Sequence, residues 1–462
     1  MKPSYEQLEA ENASLRKRII ELELKLEEVT RSLKGLLVQD SRTSHKPPSQ
    51  DKKRYPKMRL KAKGESVKKK REPKTLEYKE EADHHEVLKL DETRCECGRN
   101  LAKLPSHWER VQVYDLPKLA LEVWEYQRER KRCECGCLHE ASLPEGVNRG
   151  VQYGSRIKGL LNYLHHYQEI PLHRCAELVN DCFGQSLSET SILNSSHKLY
   201  EILEQPEKDI LTALKEVPVV YGDETGVFVT QKNHHVHVRS NEKLTHYHVD
   251  SSRGKQAHQA IGLLESYTGY IVHDCYSSYF SYKGKHVVCH SHIVRELLAV
   301  YEQTQQTWAL TLAQHLLDTN KERRDHSLTK DQQADRMQTY KDLVLEGLML
   351  NPKRARAPDD TKRGKVKQTK AHNLVHRLLI YADAATAFIR DPIVPFTNNQ
   401  AERDLRMVKL KQKISGGFRT LVGAQHFCRI RGYISTLRKN HMHVLDALTH
   451  AFQHKVLLPD WI

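Results

Sequence analysis

From Val217 onward, short runs alternate apolar and polar residues with little between them but turns. "VPVVYGDETGVFV", "HHVHVRS" and "KLTHYHVDSS" predict three successive strands, close enough in sequence to pair antiparallel. "QAHQAIGLLESY" has helical spacing. "GYIVHDCYSSY" reads as a strand ending in Asp274, and "HVVCHSH" as a fifth strand. Three strands, a helix, a strand, a connection and a further strand can be accommodated by few layered sheets.

That order is the ribonuclease-H-like α/β arrangement, and it makes the placement of acids informative. Asp223 lies in the first strand, and Asp274 ends the fourth, where α/β sheets tend to present ligands. Glu402 stands at the head of a late helix in "NNQAERDLRMVKLKQK". Three carboxylates converging from these elements could hold two Mg²⁺ or Mn²⁺ ions for in-line phosphoryl displacement; oxygen-only ligands suit those ions better than zinc. Plainer readings stand beside this one. Asp223 could sit in a turn with Glu224 as rival ligand, and Asp274 could cap a helix. Glu402 could complete a capping box with Asn399 as N-cap. Arg406, Lys409 and Lys413 follow Glu402 at helical spacing, and Arg419 lies in "SGGFRT"; these four are the expected DNA contacts. Gly416 and Gly417 would let backbone approach DNA closely.

The formal net charge of +15 points to a polyanionic partner, nucleic acid before membrane. Mean hydropathy is -0.69, no apolar run approaches the ~20 residues of a membrane span, and "MKPSYEQLEAENASLRKR" has no apolar signal core. A cytoplasmic location is expected, with association to the nucleoid when DNA is bound. Ten cysteines in such a chain suggest metal ligands and buried thiols rather than disulfides.

Before the strands, the texture changes four times. Leu8, Leu15, Leu22, Val29 and Leu36 recur every seven residues, with Asn12, Ile19, Leu26 and Leu33 in the complementary phase. Residues 1–38 are therefore expected to form a leucine-zipper-like coiled coil, joining a homodimer or higher oligomer, with Asn12 setting the register. Residues 39–75 are expected to be a basic, disordered linker: Arg42 to Lys74 holds 14 Lys/Arg against 3 Asp/Glu. Residues 76–148 carry "CECG" and "CECGC". Cys95, Cys97, Cys133 and Cys135 suit a structural zinc in a small ribbon, Cys137 being an alternative ligand. "ERVQVYDL" and "LEVWEY" read as strands of that ribbon, and reduced structural thiols are the alternative to zinc. Residues 149–215 read as helices; the Gly184 break and Ser188 cap suggest a helix-turn-helix that could enter a major groove, or a plain helical hairpin.

Between the fifth strand and Glu402, residues 293–392 read as a helical insertion. Helical spacing runs through "SHIVRELLAVYEQTQQTWALTLAQHLLD", "QADRMQTYKDLVLEGLML" and "HNLVHRLLIYADAATAFI". The whole is a multidomain α+β chain. Its catalytic core is divided between 216–292 and 393–440, and a C-terminal segment occupies 441–462.

"DET" at 223–225, "DCYSSY" at 274–279, "CHSHIVRE" at 289–296 and "NNQAERDLRMVKLKQKISGGFRT" at 398–420 together resemble the DDE transposases of bacterial insertion sequences, those of the IS66 type. The resemblance implies the catalytic triad Asp223, Asp274 and Glu402, divalent metal, and DNA as partner, both terminal inverted repeats and target. It also implies accessory proteins of the same element. Where that family usually has Trp after the cysteine of its C-W-x-H motif, this chain has His290, leaving His292 and Arg295 as the matching polar positions. The C-x-C spacing also departs from the family's commoner C-x-x-C. The alternatives to a transposase are a structure-specific nuclease of the same fold and a catalytically silent DNA-binding protein.

Overall fold

A computed structural model of the protein describes residues 76–356 and 364–462. The expected coiled coil at 1–38 and basic linker at 39–75 lie outside the described residues.

Residues 76–148 are largely irregular and exposed. Two short antiparallel strands, β1 (Arg130–Arg132) and β2 (Leu138–Glu140), flank the second cysteine cluster. "ERVQVYDL" and "LEVWEY" are not strands. Their alternation is real, but a ladder needs a neighbour offering backbone groups in register. The segment around Arg110–Tyr114 instead meets residues 77–80 through side chains. The Gln112 amide accepts from the Lys79 N–H at 2.8 Å and donates to the Lys79 carbonyl at 2.9 Å.

Four helices follow: α1 (Ser155–Asn162), α2 (Leu172–Phe183), α3 (Glu189–Ile202) and α4 (Glu204–Glu216). Gly184 ends α2 in the left-handed conformation (φ 67°), as a C-terminal glycine can without a Cβ penalty. Ser188 caps α3, its side chain accepting from the Ser191 N–H at 3.2 Å.

The central sheet has five strands in the order β5-β4-β3-β6-β7, formed by β3 (Val219–Val229), β4 (Lys232–Ser240), β5 (Thr245–Asp250), β6 (Tyr270–His273) and β7 (Lys285–Val288). β3, β4 and β5 pair antiparallel, whereas β6 and β7 run parallel to β3. Helix α5 (Lys255–Ile261) makes the crossover from β5 to β6. The last strand is shorter than "HVVCHSH" predicted: Cys289 is already the N-cap of α6 (His290–Thr304).

The region after β7 is helical: α6, α7 (Thr307–Asp325), α8 (Lys330–Leu350), α9 (Lys370–Ile380) and α10 (Ala382–Arg390). The apolar spacing of 291–318 looked continuous, but Gln305 takes a positive φ of 56° and divides it into α6 and α7. The chain returns through α11 (Asn399–Ser415), α12 (Leu421–Lys439) and α13 (Val444–Ala451). Val227, Val236 and Val272 of the sheet share one apolar core with Leu297, Trp308, Phe388 and Leu405 of these helices. Ile210 and Leu214 of α4 pack with Val220 and Ile271 in another core. Among the described residues, no helix is long and apolar enough to cross a membrane.

Candidate active site

The pairing of β3 with β6 brings the first two acids together. Tyr221 stands opposite Val272, and extending that parallel register by two residues sets Asp223 beside Asp274. Asp223 Oδ1 accepts from the Glu224 N–H at 2.8 Å; Asp274 Oδ1 accepts from the Tyr276 N–H at 3.0 Å, closing a local turn rather than capping a helix. Burial, and then the charges of Asp274, Glu224 and Glu402, hold the Asp223 carboxyl well above the usual carboxylate range.

Glu402 arrives on the first turn of α11, the helix start being anchored by Asn398. Asn398 is fully buried; its amide donates to the Gly222 carbonyl at 2.9 Å, and its backbone N–H donates to Cys289 Sγ at 3.2 Å. Asn398 occupies the cap position expected for Asn399, but no side-chain cap bond forms because its side chain is directed to β3. The capping-box reading of Glu402 therefore fails. Glu402 Oε1 is buried without a hydrogen-bond partner and lies 3.8 Å from His292 Nδ1.

Glu224 points into a different environment from Asp223. Arg253 Nε donates to its Oε1 at 2.9 Å and the Tyr279 hydroxyl donates to its Oε2 at 3.0 Å. Burial and the nearby Asp274 raise its carboxyl, and Arg253 opposes them. Both oxygens of this rival ligand are thus engaged by protein. Arg239 supports Tyr279 from beneath, with Nη1 at 3.2 Å from the hydroxyl, and its other guanidinium nitrogen meets His258. Gly222 leaves room for this layer, since a Cβ there would come 2.9 Å from the Tyr279 ring. Arg253 also approaches Asp274 at 4.0 Å. Arg253 lies outside every motif that carries the resemblance; Tyr279 is the last residue of "DCYSSY", but nothing in that motif points to its contact with Glu224.

Of the four expected DNA contacts, Arg406, Lys413 and Arg419 are exposed. Lys409 is also on the surface, but its ammonium donates to the Gly226 carbonyl at 3.1 Å, which ties α11 to β3. Gly417 approaches protein: a Cβ there would come 2.6 Å from the Phe228 carbonyl, and the Phe418 N–H donates to that same carbonyl.

The five clustered cysteines are exposed. Each cluster forms the same turn. The Cys95 N–H donates to Arg99 O and the Gly98 N–H to Cys95 O; the Cys133 N–H donates to Cys137 O and the Gly136 N–H to Cys133 O. The Cys97 amide lowers the Cys95 thiol, and the Cys137 amide is the main cause bringing Cys135 down to about 7. Among the described residues, the set of three metal-ligating side chains whose donor atoms lie within 4.8 Å of one another is Cys289, His292 and Glu402.

The family model of the IS66 transposases matches residues 150–426. No curated protein matches the chain. The matched region covers more than half of the 462 residues and spans α1 through Glu402 into α12, so the chain belongs to the IS66 family of transposases.

Proposed function

We propose that this transposase cuts DNA at the ends of its element and joins the exposed 3′ hydroxyls to target DNA, using Asp223, Asp274 and Glu402 on a ribonuclease-H-like core. The observation that carries this reading is Asp223, a carboxyl raised by burial and by three further acids: Asp274 just past β6, the neighbouring Glu224, and Glu402 of α11. Such a set is costly unless a cation joins it. The unpartnered Glu402 Oε1 and the all-oxygen donors fit Mg²⁺ or Mn²⁺. When bound, the metal supplies charge stabilisation at the transferring phosphorus. Arg406, Lys413 and Arg419 offer exposed cations to the DNA backbone, while Lys409 and Asn398 hold α11 against β3.

In the first step water attacks phosphorus, the bond to the 3′ oxygen breaks, and that oxygen takes a proton. In the second step the freed 3′ hydroxyl attacks a target phosphorus, gives up its proton, and displaces the target's 3′ oxygen. Helices α2 and α3 are the proposed reader of the terminal repeats. The two cysteine turns are the proposed structural zinc ligands, their similar geometry and lowered thiols being the support. Residues 1–38 are the proposed dimer contact, and accessory proteins of the same element are proposed partners.

The test incubates the full chain with end-labelled candidate terminal repeats, Mg²⁺ and a plasmid target. Nicked ends and joined plasmid products are expected. Cleavage without joining would favour the nuclease, and repeat binding without cleavage the silent DNA-binding protein.

A further inference from the structure

We propose that Cys289, His292 and Glu402 form a site for a thiophilic divalent metal of the zinc class, different in donor chemistry from the carboxylate set with which it shares Glu402. Cys289 is the N-cap of α6 and His292 its third residue, so Cys-x-x-His spacing puts a sulfur and a ring nitrogen at one helix start. Glu402 comes from the first turn of α11. All three donors lie within 4.8 Å of one another. Donors on a tetrahedron around zinc sit roughly 3.3–3.8 Å apart, given bonds of about 2.0 Å to N or O and 2.3 Å to S. His292 Nδ1 and Glu402 Oε1 are 3.8 Å apart.

Both of those atoms are buried without a hydrogen-bond partner. Two facing orphan groups beside a buried thiol are unfavourable by themselves, and a shared cation satisfies both. The Asn398 N–H already donates to Cys289 Sγ, as it could to a thiolate ligand. Sulfur selects against Mg²⁺ and for zinc, cobalt or cadmium. Three protein ligands leave a fourth position open, as in zinc sites that keep a water.

This inference rests on the proposed reaction only in sharing Glu402, and its test uses no DNA, so failure of one is distinguishable from failure of the other. Full-length protein is titrated with Co²⁺ alone and followed by absorption. The wild type is expected to bind one more Co²⁺ per chain than Cys289→Ser or His292→Ala, with a thiolate-to-cobalt band that Zn²⁺ removes. Serine is a favourable N-cap, so Cys289→Ser keeps the start of α6. The cysteines at 95–137 contribute equally to every variant, and Cys428→Ser, a buried thiol on α12, is expected to match the wild type. Equal stoichiometry and spectra in wild type and Cys289→Ser would overturn the site, as would an equal loss in Cys428→Ser.

Discussion

Asp223 and Glu224 are adjacent in sequence and opposite in circumstance. Glu224 has an arginine and a tyrosine on its two oxygens, whereas Asp223 has other acids around it. Removing charge from Asp223, Asp274 or Glu402 should therefore act on chemistry rather than on folding. Asp223→Asn, Asp274→Asn and Glu402→Gln are each expected to lower end cleavage and joining by at least about 10²-fold. Binding of the terminal repeats, assigned to residues before Val217, should remain. Gel-resolved cleavage alongside band-shift titration checks both. Near-normal cleavage in Glu402→Gln with loss in Glu224→Gln would transfer the third ligand to Glu224.

The start of α11 depends on one buried amide more than on the helix's own sequence. Asn398 joins α11 to β3 at Gly222 and to the β7–α6 junction at Cys289. Asn398→Ala leaves a buried carbonyl without its donor, so a loss of about 1–3 kcal/mol in denaturant stability is expected. Cleavage should fall further than stability alone explains, because Glu402 is then less well positioned. The measurement is a urea melt paired with cleavage rates at a concentration where the variant stays folded; unchanged stability would exclude the anchoring role. A different element-level result concerns Ser188, whose cap on α3 was legible from the Gly184-to-Ser188 punctuation because capping is a local property.

For the molecule as a whole, one buried pair joins the helices before the sheet to those after it. Glu169, between α1 and α2, lies 3.9 Å from Lys411 of α11 with both carboxylate oxygens otherwise unpartnered. Burial is the main cause raising the Glu169 carboxyl from 4.5 to about 7, and burial lowers the Lys411 ammonium. With a raised folded value, the unfolded chain ionises first as pH increases. Stability from this group is then full below about 4.5 and declines until about pH 7. Glu169→Gln is expected to flatten that decline and to gain up to about 3 kcal/mol at pH 8 relative to wild type. Thermal melts from pH 5 to 8 check it (both ends of this interval are about 2 units or less from the shifted value), and an unchanged slope would exclude Glu169 as its source. Charge distribution supports a second expectation at this scale. Arg42 to Lys74 carries 11 of the 15 net positive charges, so deleting residues 1–75 should reduce the salt dependence of DNA binding, by about 0.9 in log–log slope for each phosphate no longer neutralised. Binding measured across a salt series reads that slope directly, and an unchanged slope would mean that the basic segment does not touch DNA.

Much of the architecture could be read from periodicity. Alternation over 217–252 marked β3 to β5, and the order of elements put Asp274 at the end of β6, because both are properties of short stretches of chain. Alternation failed in "ERVQVYDL", where no neighbouring strand supplies a ladder, and helical spacing failed to reveal the break at Gln305. The pairings around the site were not legible at all. Arg253 with Glu224, Tyr279 with Glu224, Asn398 with Gly222 and His292 with Glu402 join distant positions. No local pattern encodes such partners; they meet because the sheet register and the packing of α11 over β3 bring them within bonding distance, and that three-dimensional arrangement decides which acid is engaged and which is left open.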